Sequence, residues 1–250
     1  MVRREAADPI DELSSRVEQV AGWVARHRRV ALVGAALVLL AAAGWGAWET
    51  LATRRELRAS AALSRAQADW RRAMGAAPDA REVTEPANPE LAARARRDSA
   101  QTLLAIAEES SGTRAAVVAA LLAGNRLWEL GDPQAALDAW ESARRGAPAD
   151  SSLRALVLLR LAEAHEAQGR FGEAAAAFEE AGAIEAYPLR YAALGDAARC
   201  FAEAGDAGRA LALFDRIEAE APETILPDHV RARLRELRAA AVASAAPAAP

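Results

Sequence analysis

Residues 131–140 read Gly131-Asp-Pro-Gln-Ala-Ala136-Leu-Asp-Ala-Trp140, and the same skeleton returns twice further along the chain. The second copy is Gly169-Arg-Phe-Gly-Glu-Ala174-Ala-Ala-Ala-Phe178, the third Gly205-Asp-Ala-Gly-Arg-Ala210-Leu-Ala-Leu-Phe214. In each, an Ala stands five residues after the first Gly and an aromatic ring nine after it. An Ala or Ile follows three positions later, at Ala143, Ala181 and Ile217. The recurrence is that of a helix-turn-helix repeat. The Gly closes the turn, the small Ala lets the second helix lie close to the first, and the ring fills the space between neighbouring pairs.

These residues resemble the tetratricopeptide repeat. The resemblance implies helix pairs stacked into an α-solenoid, with Gly124 as the small residue where the first pair crosses. Pro148 and Pro222 stand where that family places its terminating proline, and Pro188 comes two residues late. The pattern assigns units to 117–150, 155–188 and 191–224. A degenerate unit is expected over 57–110. Its first helix, 57–74, carries Leu57, Ala61, Leu63 and Trp70, and its second, 90–110, carries Leu91, Ala100, Leu103, Leu104 and Ala107. Between them Pro78, Pro86 and Pro89 make 75–89 a loop. Pro227 then opens a polar helix over 228–240 that suits a soluble cap, and the Ala/Pro tail 241–250 is expected to be disordered. The fold class is all-α, with the repeat domain over 49–240.

Composition agrees with helices. Apolar residues make up 52% of the 250 but aromatics only 5%, so much of the apolar content is Ala, with few β-branched runs. All 31 basic residues are Arg, which reflects GC-rich coding rather than function. A formal charge of −4 leaves no nucleic-acid footprint. Cys200 is the single cysteine, which excludes an intramolecular disulfide and a cysteine-based zinc site.

Upstream of the repeats, Val30 to Trp48 is a run of nineteen residues without a charge, VALVGAALVLLAAAGWGAW. As a helix it would reach about 28 Å, near the roughly 30 Å of a hydrocarbon core. Trp23 on one side and Trp45 and Trp48 on the other suit the interfacial belts. Its strong apolar residues, at ~0.3–0.6 kcal/mol each, favour insertion by only about 2–4 kcal/mol in all. A buried soluble helix of this length would carry a polar face, which the run lacks. A signal peptide could be cleaved at Ala41-Ala42-Ala43, but signal cores span roughly 7–15 residues and here a long segment precedes the run. A lipoprotein is excluded, because no Cys is near. The expected element is an uncleaved transmembrane helix over 30–48, in contact with the lipid bilayer.

Ahead of it, 1–29 is expected to be a short cytoplasmic segment. Residues 9–29 suit an amphipathic helix with Val17, Val20, Ala21 and Val24 on one face. Basic residues nearly tie across the run: Arg16, Arg26, Arg28 and Arg29 precede it, and Arg54, Arg55, Arg58 and Arg65 follow. The cluster nearest the run is N-terminal, which favours a cytoplasmic N-terminus.

No catalytic constellation stands out, and the chain is not expected to be an enzyme or to need a cofactor or metal. His27, His165 and His229 are scattered, and the sequence lacks G-x-x-x-x-G-K-[ST], HExxH and G-x-S-x-G. His165 takes the place of a packed aromatic, and Cys200 beside Phe201 suits a buried thiol. Instead, stacked repeats offer a concave groove lined by the first helix of each pair. By the resemblance its positions are Val118, Leu121, Asn125 and Trp128, then Leu156, Leu159, Arg160 and Glu163, then Asp196, Arg199 and Glu203. Trp128 is the leading candidate for a partner contact; the alternative is that it packs on the next unit. Chaperone-tail binders of the family hold a terminal carboxylate with paired Lys and Asn. Asn125 matches one of these, but the basic partners are missing, so that function is not expected.

The layout as a whole is similar to the ancillary SecYEG translocon subunit family. The resemblance is most specific from Val17 to Ala66: a Val/Trp-bearing helix, basic residues, a span ending Trp45-Gly46-Ala47-Trp48, then Ala59-Ser60-Ala61. Leu103-Leu104-Ala105-Ile106-Ala107, Gly112 and Ala115 to Leu122 echo the family's next helices. It implies a single-pass protein of the bacterial inner membrane, N-terminus cytoplasmic and repeats periplasmic. The implied partners are the Sec translocon, periplasmic chaperones and emerging polypeptides. The alternative is a periplasmic repeat adaptor, released by cleavage near Ala43, that coordinates envelope or cell-wall assembly with division.

Overall fold

The computed structural model describes residues 26–77 and 82–245. The amphipathic helix expected over 9–29 lies outside the described residues as far as residue 25, as do Pro78 and the last five residues of the tail. The described residues form helices and turns without a strand. The helices are α1 (Arg28–Ala73), α2 (Pro89–Glu109), α3 (Arg114–Glu129), α4 (Pro133–Gly146) and α5 (Ser152–Ala167). They continue with α6 (Phe171–Gly182), α7 (Arg190–Glu203), α8 (Ala207–Glu220) and α9 (Asp228–Ala245). Contacts divide the chain into two units, one to Arg54 and one from Arg55.

In the first unit α1 carries the apolar run. Its most apolar 18-residue window has a mean hydropathy of 2.1, and none of that window is buried. Leu32, Val38, Leu39 and Leu40 are each 69–70% exposed. By length and composition this helix is able to cross a bilayer. Water is a poor solvent for such a surface, at about 25 cal/mol per Å² of apolar area.

The second unit is built from pairs. The α3–α4, α5–α6 and α7–α8 hairpins stack in chain order, and α9 packs on α7 and α8. Five helix starts have a local cause. Asn88, Thr113, Asp132, Ser151 and Asp206 accept backbone N–H groups of α2, α3, α4, α5 and α8, and Pro89 and Pro133 stand at first-turn positions that need no donor. Each hairpin turns on a glycine with φ between 72° and 84°: Gly131, Gly169 and Gly205. Side chains rarely adopt that left-handed backbone, so the three repeated glycines are a steric requirement.

The rest of the repeated skeleton is the core. Ala136, Ala174 and Ala210 are wholly buried, as are the rings of Trp140, Phe178 and Phe214 to within a few percent. Ala143, Ala181 and Ile217 complete the same stripe. With methyl groups at the contacts, helices approach closely, and the rings fill the gaps left between pairs.

The first pair takes a helical phase that its sequence leaves open. In α1 the inward stripe is Glu56, Ala59, Leu63, Ala66 and Trp70, while Leu57 is 65% exposed and Ala61 is also outward. The cause is a polar anchor. The Glu56 carboxylate accepts the backbone N–H groups of Arg114 (2.8 Å) and Ala115 (3.1 Å) at the start of α3. That contact turns position 57 to solvent. In α2, Ala100, Leu103 and Ile106 face the core, while Leu91 and Leu104 face outward. The C-terminal helix also exceeds its expected limit of 240, continuing to Ala245, so half of the expected disordered tail is helical. It is amphipathic rather than simply polar, with Val230 and Leu234 buried.

Candidate functional site

The first helices of these three pairs, α3, α5 and α7, carry the eleven candidate groove residues. On α3, Val118, Leu121, Asn125 and Trp128 recur at three- and four-residue steps and so share a face. Trp140 of α4 packs behind them. Its indole N–H donates to the Leu121 carbonyl (3.1 Å) and to the Asn125 side-chain oxygen (3.2 Å). Trp128 is half-buried, its ring centroid 5.9 Å from that of Trp140 and tilted by 40°. The ring contact is therefore within its own helix pair. One side of the indole packs on the core, and the rest borders a cavity of about 380 Å³ shared with Asn125, Glu129, Arg160 and Glu163.

The other candidates divide between packing and polar roles. Val118 and Leu121 lie half-buried against core clusters of the first pairs, and Leu159 touches two clusters at once. Asn125 is committed to Trp140. Arg160 pairs with Glu163 at 2.6 Å. Arg199 grips Glu166 with both terminal nitrogens, at 2.6 and 2.8 Å, and lies 3.6 Å from Asp196. Leu156 is 47% exposed. The structure thus brings Asn125, Trp128, Arg160 and Glu163 around one cavity and joins Asp196, Arg199 and Glu166 in an ion network close enough for Glu163 to act on Asp196.

Sequence reasoning missed two members. Glu129 borders the cavity and is held by Arg96 (2.9 Å) and Arg126 (3.1 Å). Glu166 is one turn beyond Glu163 on the same face of α5, a spacing that would have flagged it. Arg126 is mostly buried, with its guanidinium 3.6 Å above the Trp70 ring. That contact joins the first pair to the second by a cation–π interaction.

The electrostatics follow from these partners. Arg199 holds the Glu166 carboxyl below the usual carboxylate range. Burial pushes Asp196 upward, with Glu166 and Glu163 adding to the shift and Arg199 opposing it. Burial lowers His165, and the nearby Arg170 lowers it further, so it is neutral at physiological pH. The Cys200 thiol is buried and pushed up to about 12, mainly by burial, which makes it a poor nucleophile. Among the described residues no group of three or more His, Cys, Asp or Glu is placed to hold a metal. A wider and shallower depression of about 700 Å³ lies near Asp150 and Ile184, where Arg154 and Glu180 already satisfy each other at 2.8 Å.

Comparisons with known proteins place these features in context. Residues 22–210 match the family model described as a tetratricopeptide repeat-like domain. No curated protein matches the chain. Among solved structures, it is similar to a crystal structure of nearly identical TPR-like repeats named for kinesin light chain, from Podosopora anserina. That match has 18% identity and a TM-score of 0.45, and covers 58% of this chain and 78% of the other. A second crystal structure of the same repeats, carrying one substitution, matches at 17% identity and a TM-score of 0.44, covering 58% and 86%. A MamA protein matches at 19% identity and a TM-score of 0.35, covering 55% and 88%.

Proposed function

The chain belongs to the tetratricopeptide repeat-like domain family, and from that premise we propose that it is a non-catalytic scaffold that binds polypeptide through the concave face of α3, α5 and α7. Repeats of this fold mediate protein–protein interaction, because stacked pairs present one long inner surface. The observation that carries the reading is Trp128: a large aromatic side chain left half-exposed beside a cavity, where polar neighbours can orient a partner.

The scaffold works at a membrane, held by residues 30–48. In support, the apolar window of α1 has no protein cover. The resemblance from Val17 to Ala66 supports a finer reading. The protein is an accessory of the Sec translocon in the bacterial inner membrane, N-terminus cytoplasmic and repeats periplasmic, acting with envelope chaperones on emerging polypeptides. In-cell crosslinking from a photoreactive residue placed near Trp48 tests this. Capture of a translocon component is expected, and capture of none overturns the translocon assignment. Intact mass after membrane extraction tests the anchor, since loss of the segment up to about Ala43 overturns it.

A further inference from the structure

We infer that the groove takes a basic segment of a partner polypeptide, with an Arg or Lys side chain against the carboxylates of Glu163 and Asp196 and an adjoining apolar side chain against Trp128 and Leu159. This rests on the scaffold reading above and names the chemistry of its partner.

The first argument is local charge. On the facing edges of α5 and α7 stand the carboxylates of Glu163, Glu166 and Asp196, with Arg160 and Arg199 as the cations among them. Arg160 is taken by Glu163. Arg199 gives both terminal nitrogens to Glu166, which leaves Asp196 at 3.6 Å with the weaker contact. One carboxylate is therefore in excess at the mouth of the groove, and Glu203 adds an exposed acid at the end of α7. Burial is the main cause of the upward push on Asp196, and the Glu166 and Glu163 carboxylates add to it against the attraction of Arg199. A cation arriving between α5 and α7 relieves the repulsion, whereas an anion adds to it.

The second argument is the charge of the whole repeat body. Residues 49–240 carry 25 Arg against 30 acidic residues. That excess produces a negative potential that draws basic segments toward the body and slows the approach of acidic ones. The third is the apolar side of the groove. Leu159 is half-buried and Leu156 is 47% exposed on α5, and the Trp128 indole borders the cavity that Arg160 and Glu163 of the same helix line. A basic side chain alone would leave this surface wet, so the fitting segment mixes basic and bulky apolar residues.

The test uses the full chain in a zwitterionic detergent. Three fluorescently labelled peptides of equal length share the same apolar residues and carry Lys, Gln or Glu at the variable positions. The Lys peptide is expected to bind roughly tenfold tighter than the Gln peptide, and its advantage to fall steeply between ~50 and ~300 mM salt. Glu163→Gln and the Glu163→Gln/Asp196→Asn pair are expected to shrink that advantage stepwise, with helix content checked by circular dichroism. Equal or tighter binding of the Gln or Glu peptide overturns this inference while leaving the scaffold reading intact. An undiminished Lys advantage in both variants also overturns it. Failure of all three peptides to bind overturns the scaffold reading and this inference together.

Discussion

The indole of Trp140 lies directly against the backbone of Gly124. A Cβ added at position 124 would stand 2.5 Å from the Trp140 Cδ1 and 2.7 Å from its Cε2. Gly124 is wholly enclosed in mid-helix, where glycine is otherwise unfavourable, so its presence answers the ring. Gly124→Ala gains up to ~1 kcal/mol of helix propensity but overpacks the crossing by about 1–3 kcal/mol. The expected net result is a melting temperature lower by a few degrees and weakened peptide binding, because Trp140 also holds Asn125. Gly172→Ala is the control. A Cβ there meets nothing within 4 Å, and thermal melts are expected to show no loss.

Glu56 anchors the first pair to the second by capping α3 from a distance of 58 residues in sequence. Glu56→Ala leaves two N–H groups of α3 without that acceptor and is expected to cost about 0.5–2 kcal/mol, read by chemical denaturation. Glu56→Gln keeps an acceptor but loses the favourable charge at the helix N-terminus, roughly 0.3–1 kcal/mol. Equal stability of all three proteins would contradict the anchoring role.

The two carboxylates around Arg199 predict opposite pH behaviour. Glu166 is held below its usual range, so its contribution is complete above the unfolded carboxylate pKa and is lost as pH falls through the lower folded value. Glu166→Gln is therefore expected to destabilise at pH 7, with the difference closing in acid. Asp196 is raised, so its favourable contribution exists below its unfolded pKa and is lost as pH rises through the folded value. Asp196→Asn is thus expected to raise the melting temperature at pH 7, with the gain fading toward pH 3. Melting curves across pH check both signs.

The membrane anchoring proposed for residues 30–48 has a small margin. Leu37→Arg places a charge near the middle of the apolar run at a cost of about 2.5–3.5 kcal/mol, comparable to the whole gain from its apolar residues. Carbonate extraction is expected to release most of this variant while the parent stays in the pellet. A variant that remained fully bound would refute the margin.

These residues also show what could be read from the chain alone. The Gly-Ala-aromatic skeleton was legible because each member answers a steric demand that few residue types meet: a left-handed turn, a close helix contact, a gap the size of a ring. Gly124 was legible for the same reason. The phase of α1 was not, since Leu57 and Leu63 fit an inward stripe equally well until Glu56 fixes it. That choice depends on the N–H groups of α3, which lie far along the chain. The candidate groove positions came from the resemblance, and the chain alone gave them no partners. Arg160 and Arg199 stand among those positions, and only the fold shows them engaged by Glu163 and Glu166. The length of α9 was hidden by its Ala-rich end, where composition suits a helix and a flexible tail alike.

The central claim is that polypeptide binds the concave face beside Trp128. In-cell photo-crosslinking compares a photoreactive residue in place of Trp128 or Glu163 with one in place of Ser142 on α4 or Ala176 on α6, exposed positions on the second helices. Polypeptide adducts are expected from the first two positions and few or none from the others. Adducts of equal yield from all four, or from Ser142 and Ala176 alone, would contradict it.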